Sequence, residues 1–589
     1  MNTPRYGSIL TAMRRLKAAA IIALLSISTG VFGSHIAESL WPWIPVSVGV
    51  AVLVVLSGVL WQPDQESPPD GPALVFVIGI AVFYRTYTFV FPASMIGLDP
   101  DQYAVWINQL VAAGSIEAMD VGFYQNAPFF PLLNGLFSII SGLPVRTAMI
   151  ITPLLTGILI PLSIYAIVVY FTEEQVVRVG ITASLIGAVA TQGVKLSYWP
   201  IPQMLATLFL CLLVVVTIRS ISAPRRGYRF SVLFVAFLLS LSLTHKLPML
   251  VVVLFVGTFA ILFLFPKPIA RRLGLDERGE YRLWILFGIA SMMLFVQWTY
   301  IADFFDSVVI KLGALLGSGP PKISPALMNP TAAVSPYPQV VGILLQNLHA
   351  LALLVIGAVA WLILAYTNRS KRSVQTLLAV TAILFLLFPI TIIVPSEFIY
   401  TRVTLFIEPF LAAIIAAAFV RQSNRSQQLL SRALSVATVG ILVFVIVTQV
   451  VAVGAAPDFP GAPRMYLTSE EVTAKEFGYQ HLDDSVAGPY YAHERPFPDQ
   501  QVAATGALSG RANTYAPLTE SLYNATLISD CHPNVLYRQI AVYRFQGPWQ
   551  LTWNPQPALD GHYNRIYANG GAQHYSRTKC RGTNSTVGV

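Results

Sequence analysis

The sequence predicts a membrane all-α fold: a polytopic bundle of about 13 transmembrane helices, with a C-terminal extracytoplasmic α/β soluble domain. Three observations predict it. The 589 residues are 55% hydrophobic and only 11% charged, against roughly 25% charged in an average soluble domain, and mean hydropathy is +0.64. Apolar runs close to the ~20 residues that a span needs recur along the chain. The basic residues lie in short clusters between those runs, so the net charge of +9 is a topology signal. Membrane lipids are therefore the expected surroundings, and no nucleic-acid partner is expected.

Thirteen runs qualify, at roughly 18–37, 44–60, 73–91, 147–170, 179–194, 203–218, 230–244, 248–265, 283–302, 340–366, 375–394, 403–420 and 433–453. The first has the basic flank and apolar core of a signal peptide. It reads as a retained span, because no small-residue cleavage site precedes a soluble region. With the N-terminus in the cytoplasm, alternation puts twenty Lys and Arg residues in cytoplasmic loops and six in outer loops before the tail. That bias fixes the expected orientation. It places residues 92–146 outside, together with the polar, turn-rich segment 454–589 that follows the transmembrane domain 1–453.

The tail opens with "LTSEEVTAKEFGYQHL", where Thr468 and Glu471 have capping-box spacing. Further on, "VLYRQIAVYRF" alternates like a strand. Three cysteines exclude a disulfide scaffold or a cysteine-rich metal site. Cys211 falls in an apolar run and reads as a packed hydrophobe. Cys531 and Cys580 are the outer pair, which an oxidising exterior lets join; two unpaired thiols are the alternative. Asn524 and Asn584 are possible glycan acceptors on that side, while Asn368 and Asn424 match the same pattern but face the cytoplasm.

The outer loop carries "GLDPDQYAVWINQLVAAG". Asp99-Pro100-Asp101 makes a good helix start, with Asp as N-cap, Pro at the first position and a second acid in the first turn. Tyr103, Trp106, Ile107, Leu110 and Val111 then recur at helical spacing until Gly114. They describe an amphipathic helix lying on the outer membrane surface. A helix start and a reactive carboxylate are compatible readings, since a capping geometry also orients the acid.

An early span, an outer loop with an acidic pair, and a helix of the form D-x-x-x-x-x-I-x-x-L-x-x-x-G are followed here by "FYQNAPFFPLLNGLFSIISGLP". This order resembles the C-type superfamily of membrane glycosyltransferases (GT-C), whose archaeal members often end in an outer domain with a stretch like "NRIYANGGAQHY". The resemblance implies a polyprenyl-phosphate-sugar donor and a lipid-linked or surface glycan acceptor. There are departures from the oligosaccharyltransferases of that superfamily. The Trp-Trp-Asp motif is missing, and the next outer loop, "KLSYWPIPQ", has no carboxylate. Transfer of one sugar is therefore expected over transfer of a whole oligosaccharide. A lipid or polysaccharide transporter and a glycan ligase are the alternatives.

The chemistry asks for a base and for cations. A hydroxyl acceptor needs a carboxylate to take its proton, the role expected of Asp99 or Asp101. A departing phosphate needs positive charge. Arg402, in "PSEFIYTRVTLF", stands where the superfamily often places a phosphate-binding Arg. His245-Lys246, in "LTHKLPM", reads as a pair of unlike cations at an outer turn, and Lys195 is a further candidate. Arg85 and Glu408 lie at lipid depth, where a charge costs roughly 2.5–3.5 kcal/mol and so seeks a partner or cavity. Glu397 lies close to Arg402 and is expected to orient it. A metal-independent site is the expectation, because two carboxylates on one short loop supply few ligands. Mg or Mn held by Asp99 and Asp101 is the alternative.

Overall fold

The computed structural model describes residues 6–36, 38–60, 70–96, 100–119, 122–171, 176–190, 193–194, 197, 199–222, 227–264, 277–302, 304–305, 333–334, 348–367, 377–385, 397–425, 436, 439–440, 442–446, 466, 468–481, 486–487, 525–529, 534–538 and 550–577. The protein is mostly helical with a small sheet. The helices are α1 (Tyr6–Ile36), α2 (Ile44–Leu60), α3 (Asp70–Thr86), α4 (Pro100–Ala113), α5 (Gly122–Asn126), α6 (Phe129–Ser141), α7 (Val145–Ala148), α8 (Ile151–Phe171) and α9 (Val176–Val189). They continue with α10 (Pro202–Ser222), α11 (Gly227–Ser242), α12 (Pro248–Leu264), α13 (Glu277–Val296), α14 (Leu348–Thr367), α15 (Glu397–Arg425), α16 (Ser469–His481) and α17 (Gln556–His562).

Among the described residues, five helices are long and apolar enough to cross a membrane: Lys17–Ile36, Gly71–Phe89, Val145–Tyr170, Pro202–Ser220 and Tyr281–Ile301. Six shorter apolar helices accompany them. One continuous apolar core runs through the bundle, with α9, α10 and the middle of α15 the most enclosed among the described residues. Helix α3 meets α8 at Gly157, where an added Cβ would stand 3.0 Å from the Val82 backbone. Only glycine allows that crossing, and it brings Arg85 into the bundle interior one turn further along α3.

The segment between α3 and α8 forms a cap over one end of the bundle, called here the loop end. Arg146 donates to the Pro92 carbonyl at 3.1 Å and closes the base of this segment. Helix α4 opens at Pro100 and stops at Gly114, which has φ +63° and donates to the Leu110 carbonyl. The apolar stripe of α4 does not face outward as its periodicity suggested. Tyr103, Ala104, Ile107 and Leu110 are buried, and Ile107, Leu110 and Val111 close on Gly135 of α6. The exposed apolar face in this segment belongs to α6 instead, through Leu132, Leu136, Ile139 and Ile140.

Beyond the bundle, β2 (Val486–Ala487), β3 (Asn534–Arg538), β6 (Ala572–Ser576) and β5 (Asn564–Ala568) form a sheet in that spatial order. The β2–β3 pair is parallel and the other two pairs are antiparallel. Strands β5 and β6 are the hairpin of "NRIYANGGAQHY", which turns at Gly570 with φ +89°. Helix α16 packs on β6 and begins with the anticipated capping box: Thr468 N–H donates to Glu471, and Glu471 N–H to the Thr468 hydroxyl. The strand expected over "VLYRQIAVYRF" is seen as far as Arg538; residues 539–549 lie outside the described ones. A second pairing joins β1 (Ala333–Val334) to β4 (Gln550–Leu551).

Candidate functional site

Three of the predicted residues meet at the loop end. The turn between α11 and α12 carries His245 and Lys246, and Arg402 lies in the first turns of α15. His245 is buried, and Arg402 and Lys246 both act on it electrostatically. Burial first, then those two positive charges, hold its imidazole well below the ordinary histidine range. His245 is thus a neutral ring where the sequence suggested a cation, and Arg402, like Lys246, brings a positive charge to bear on that ring. Its Nδ1 accepts from the Leu247 N–H at 3.3 Å, which leaves the proton on Nε2.

The turn is gripped from two directions. The Phe129 N–H donates to the Leu243 carbonyl at 3.0 Å, docking the cap segment on it. On the other side, α13 ends in a π-helical turn, Gln297–Ile301. Gln297 Nε2 donates to the Ser242 and His245 carbonyls at 2.6 and 3.2 Å, and Trp298 Nε1 donates to the Lys246 carbonyl at 3.0 Å. The Lys246 ammonium lies over the Phe304 ring, 4.3 Å from its centroid, and 5.8 Å from that of Phe123. Neither Gln297 nor Trp298 was singled out from sequence.

The acidic helix reaches the same aromatic cluster. Tyr103, two residues beyond Asp101, shares a 2.8 Å hydroxyl–hydroxyl hydrogen bond with Tyr124. Its ring stands edge-on to those of Tyr124 and Phe130. Tyr124 in turn packs against Phe123, the second ring near Lys246. Asp101 is the second residue of α4 and Glu397 the first of α15. Asp99, Lys195, Cys531, Cys580, Asn524 and Asn584 lie outside the described residues. Among the described residues, no three His, Cys, Asp or Glu side chains gather as a metal site.

Arg85 and Glu408 meet in the bundle interior, both lining one small cavity with Gly193, Thr207 and Met204. Arg85 is fully buried. It donates to the carbonyls of Gly187 at 3.1 Å, of Ala188, and of Ala81 in its own helix at 3.3 Å. The first two are end carbonyls of α9, which lack a helical partner. Glu408 accepts the Gly193 N–H at 2.7 Å. Arginine therefore holds the end of α9, and glutamate the backbone at Gly193 beyond it. Six residues separate Glu408 from Arg402, roughly 9 Å along one helix.

The chain is similar to several solved structures, all at low identity. One is the Archaeoglobus fulgidus oligosaccharyltransferase in its apo form, at 11% identity, covering 80% of this chain and 69% of that one, with a TM-score of 0.49. Another is that organism's AglB in complex with an inhibitory peptide and a dolichol-phosphate, at 11% identity, the same coverages and a TM-score of 0.48. A third is ArnT from Cupriavidus metallidurans in the apo state, at 11% identity, covering 85% of this chain and 97% of that one, with a TM-score of 0.45. No family model matches the chain, and no curated protein does.

Proposed function

We propose that this chain is a membrane glycosyltransferase that moves a single sugar, such as mannose, from a polyprenyl-phosphate carrier to a hydroxyl group. The acceptor is a lipid-linked or surface glycan, and the loop end faces outward, as the distribution of Lys and Arg indicates. The observation that carries the reading is the buried His245-Lys246 turn, with the Lys246 ammonium over Phe304 and near Phe123, next to the aromatic cluster that holds the acidic helix, with the charge of Arg402 acting on the same turn.

The charges suit a monophosphate carrier. A polyprenyl-phosphate sugar is a phosphodiester with one negative charge, and breaking the bond to the sugar leaves a phosphate with a second. Arg402 and Lys246 are two fixed positive charges that gain most as that second charge develops, which is the condition for lowering a barrier. His245 adds an Nε2–H donor without a third charge. Asp99 or Asp101 takes the acceptor proton as the hydroxyl oxygen attacks the anomeric carbon. The carbon–oxygen bond to the phosphate breaks, and that oxygen keeps the electron pair. One displacement gives inversion.

The test is transfer by purified protein from a panel of polyprenyl-phosphate and polyprenyl-diphosphate sugars to a hydroxyl-bearing acceptor. The reading expects turnover with a monophosphate donor and an inverted product. Transfer confined to diphosphate donors, or a product that keeps its anomeric configuration, overturns it.

A further inference from the structure

The π-helical turn at Gln297–Ile301 has no role in the chemistry above, yet both side chains at its start reach the Lys246 turn. π turns are rare and occur mostly as single turns at functional sites. Here the turn sits on the last part of α13, against the end of α11. Helix ends leave carbonyls without partners, and in this turn the gaps are filled from outside. The Ser242 carbonyl takes Gln297, Leu243 takes the Phe129 N–H, His245 takes Gln297 again, and Lys246 takes Trp298. The backbone of the cationic turn is held at four points within five residues.

The same element also holds the tip of the lysine. Phe304 N–H donates to the Trp298 carbonyl at 2.8 Å, and the Trp298 and Phe304 rings stand edge to face, 5.2 Å apart. Phe304 is the ring under the Lys246 ammonium. Trp298 therefore fixes Lys246 twice, by its indole N–H at the backbone and through Phe304 at the charge. Gln297 is fully buried, and its Oε1 has no hydrogen-bond partner. A buried amide with one unsatisfied atom is costly, and what it gains in exchange is its pair of bonds to the turn.

We infer that Gln297 and Trp298 are positioning residues for the donor phosphate, acting through Lys246. The inference rests on the reading of Lys246 as a phosphate cation. A lysine ammonium is a point charge on a flexible stem, so its contribution depends on how narrowly its surroundings confine it. Confinement before binding leaves less to order when the phosphate arrives.

The test uses the full-length protein in detergent, with farnesyl phosphate as a soluble polyprenyl monophosphate and with the sugar donor. Trp298→Phe keeps an aromatic ring against Phe304 and removes only the N–H. The expected result is about a tenfold loss in farnesyl phosphate affinity, the upper scale of one neutral hydrogen bond, and a fall in donor kcat/KM of at least that size because Lys246 bears on the developing charge, with the thermal midpoint nearly unchanged. Gln297→Met should act in the same direction. In a Lys246→Ala background, Trp298→Phe should add nothing, because its effect passes through the lysine. If Trp298→Phe leaves affinity unchanged, or weakens it equally with and without Lys246, the positioning role is overturned. If wild-type protein fails to bind farnesyl phosphate, or Lys246→Ala binds it as well as wild type, the phosphate reading itself fails.

Discussion

Gly193 donates its backbone N–H to Glu408 Oε2 at 2.7 Å, across 215 residues of chain. A side chain at 193 would put its Cβ 3.2 Å from that oxygen and 3.7 Å from an Arg85 nitrogen. The first distance is tight and the second an ordinary contact, so the absence of a Cβ eases the approach of Glu408. Pro409, the next residue on α15, lines the same cavity. As a proline inside a helix it has no N–H to donate to the preceding turn. Helix α15, whose first turns carry Arg402, is thus tied to the backbone at Gly193 through Glu408.

Removing one side of this arrangement should destabilise the bundle. Glu408→Leu leaves the Gly193 N–H without its acceptor and Arg85 without its nearby negative charge, a loss of about 3 kcal/mol. Glu408→Gln retains an acceptor and should lose less. Arg85→Met combined with Glu408→Leu should cost less than the two single changes summed, since each alone strands a buried charge. Thermal unfolding in detergent measures all of these. A wild-type midpoint for Glu408→Leu would remove the structural role.

The C-terminal sheet has its own pH dependence. His574 is buried against Phe477 and Tyr567, and its Nε2–H donates to the Ala474 carbonyl at 2.6 Å. Burial lowers its pKa from 6.5 to about 4. A histidine depressed on folding binds fewer protons folded than unfolded, so stability is complete above pH 6.5 and is lost as pH falls towards 4. The full loss is about 3 kcal/mol, and between pH 7 and pH 5 the folded-to-unfolded ratio should drop roughly twentyfold. Hydrogen exchange of the β6 amides in the intact protein, corrected for intrinsic rates, should show that drop between pH 7 and pH 5. His574→Phe should flatten the profile, and an unchanged slope in that variant would assign the effect elsewhere.

Much of this arrangement was readable from sequence, for a physical reason. Charges near lipid are scarce, so Arg85, His245-Lys246, Arg402 and Glu408 stand out in apolar surroundings without any knowledge of the fold. Which of them meet was not readable. Glu408 and Gly193 are far apart in sequence, and a glycine carries no sign of the side chains that crowd it. Gln297 and Trp298 end an apolar run, and their reach depends on a π turn that hydrophobic periodicity does not encode. The stripe on α4 shows the same limit. Periodicity identified the face to be covered, while the small residue that lets α6 cover it, Gly135, lies in a different helix.

The cationic turn predicts a flat pH response. His245 is held neutral well below pH 6.5 by burial, Arg402 and Lys246, so the site's charge does not change between pH 6 and 8. Donor KM should show no inflection across that range. Arg402→Ala should raise donor KM, and Arg402→Lys should recover part of the loss if a positive charge suffices without the guanidinium fork. With the positive charge of Arg402 gone, His245 should also titrate closer to its ordinary range. An inflection near pH 6.5 in wild-type protein would mean that His245 binds phosphate as a cation.

The acidic pair gives the sharpest test of the proposed chemistry. Pro100 opens α4, so Asp99 and Asp101 flank a helix start, and asparagine caps a helix about as well as aspartate. Asp99→Asn and Asp101→Asn should therefore leave folding and thermal midpoint close to wild type. If one of the two is the base, its Asn variant keeps the local structure and loses the proton acceptor. Base catalysis contributes on the order of 10²–10⁴-fold, so kcat should fall by that factor in one variant while donor KM stays put, because the phosphate contacts lie on Lys246 and Arg402. Asp99 is the first choice, since the following proline limits its backbone freedom. The other variant serves as the matched control for any general effect of lost charge. Full turnover in both would leave these acids as a helix start alone, and the base would have to be sought elsewhere.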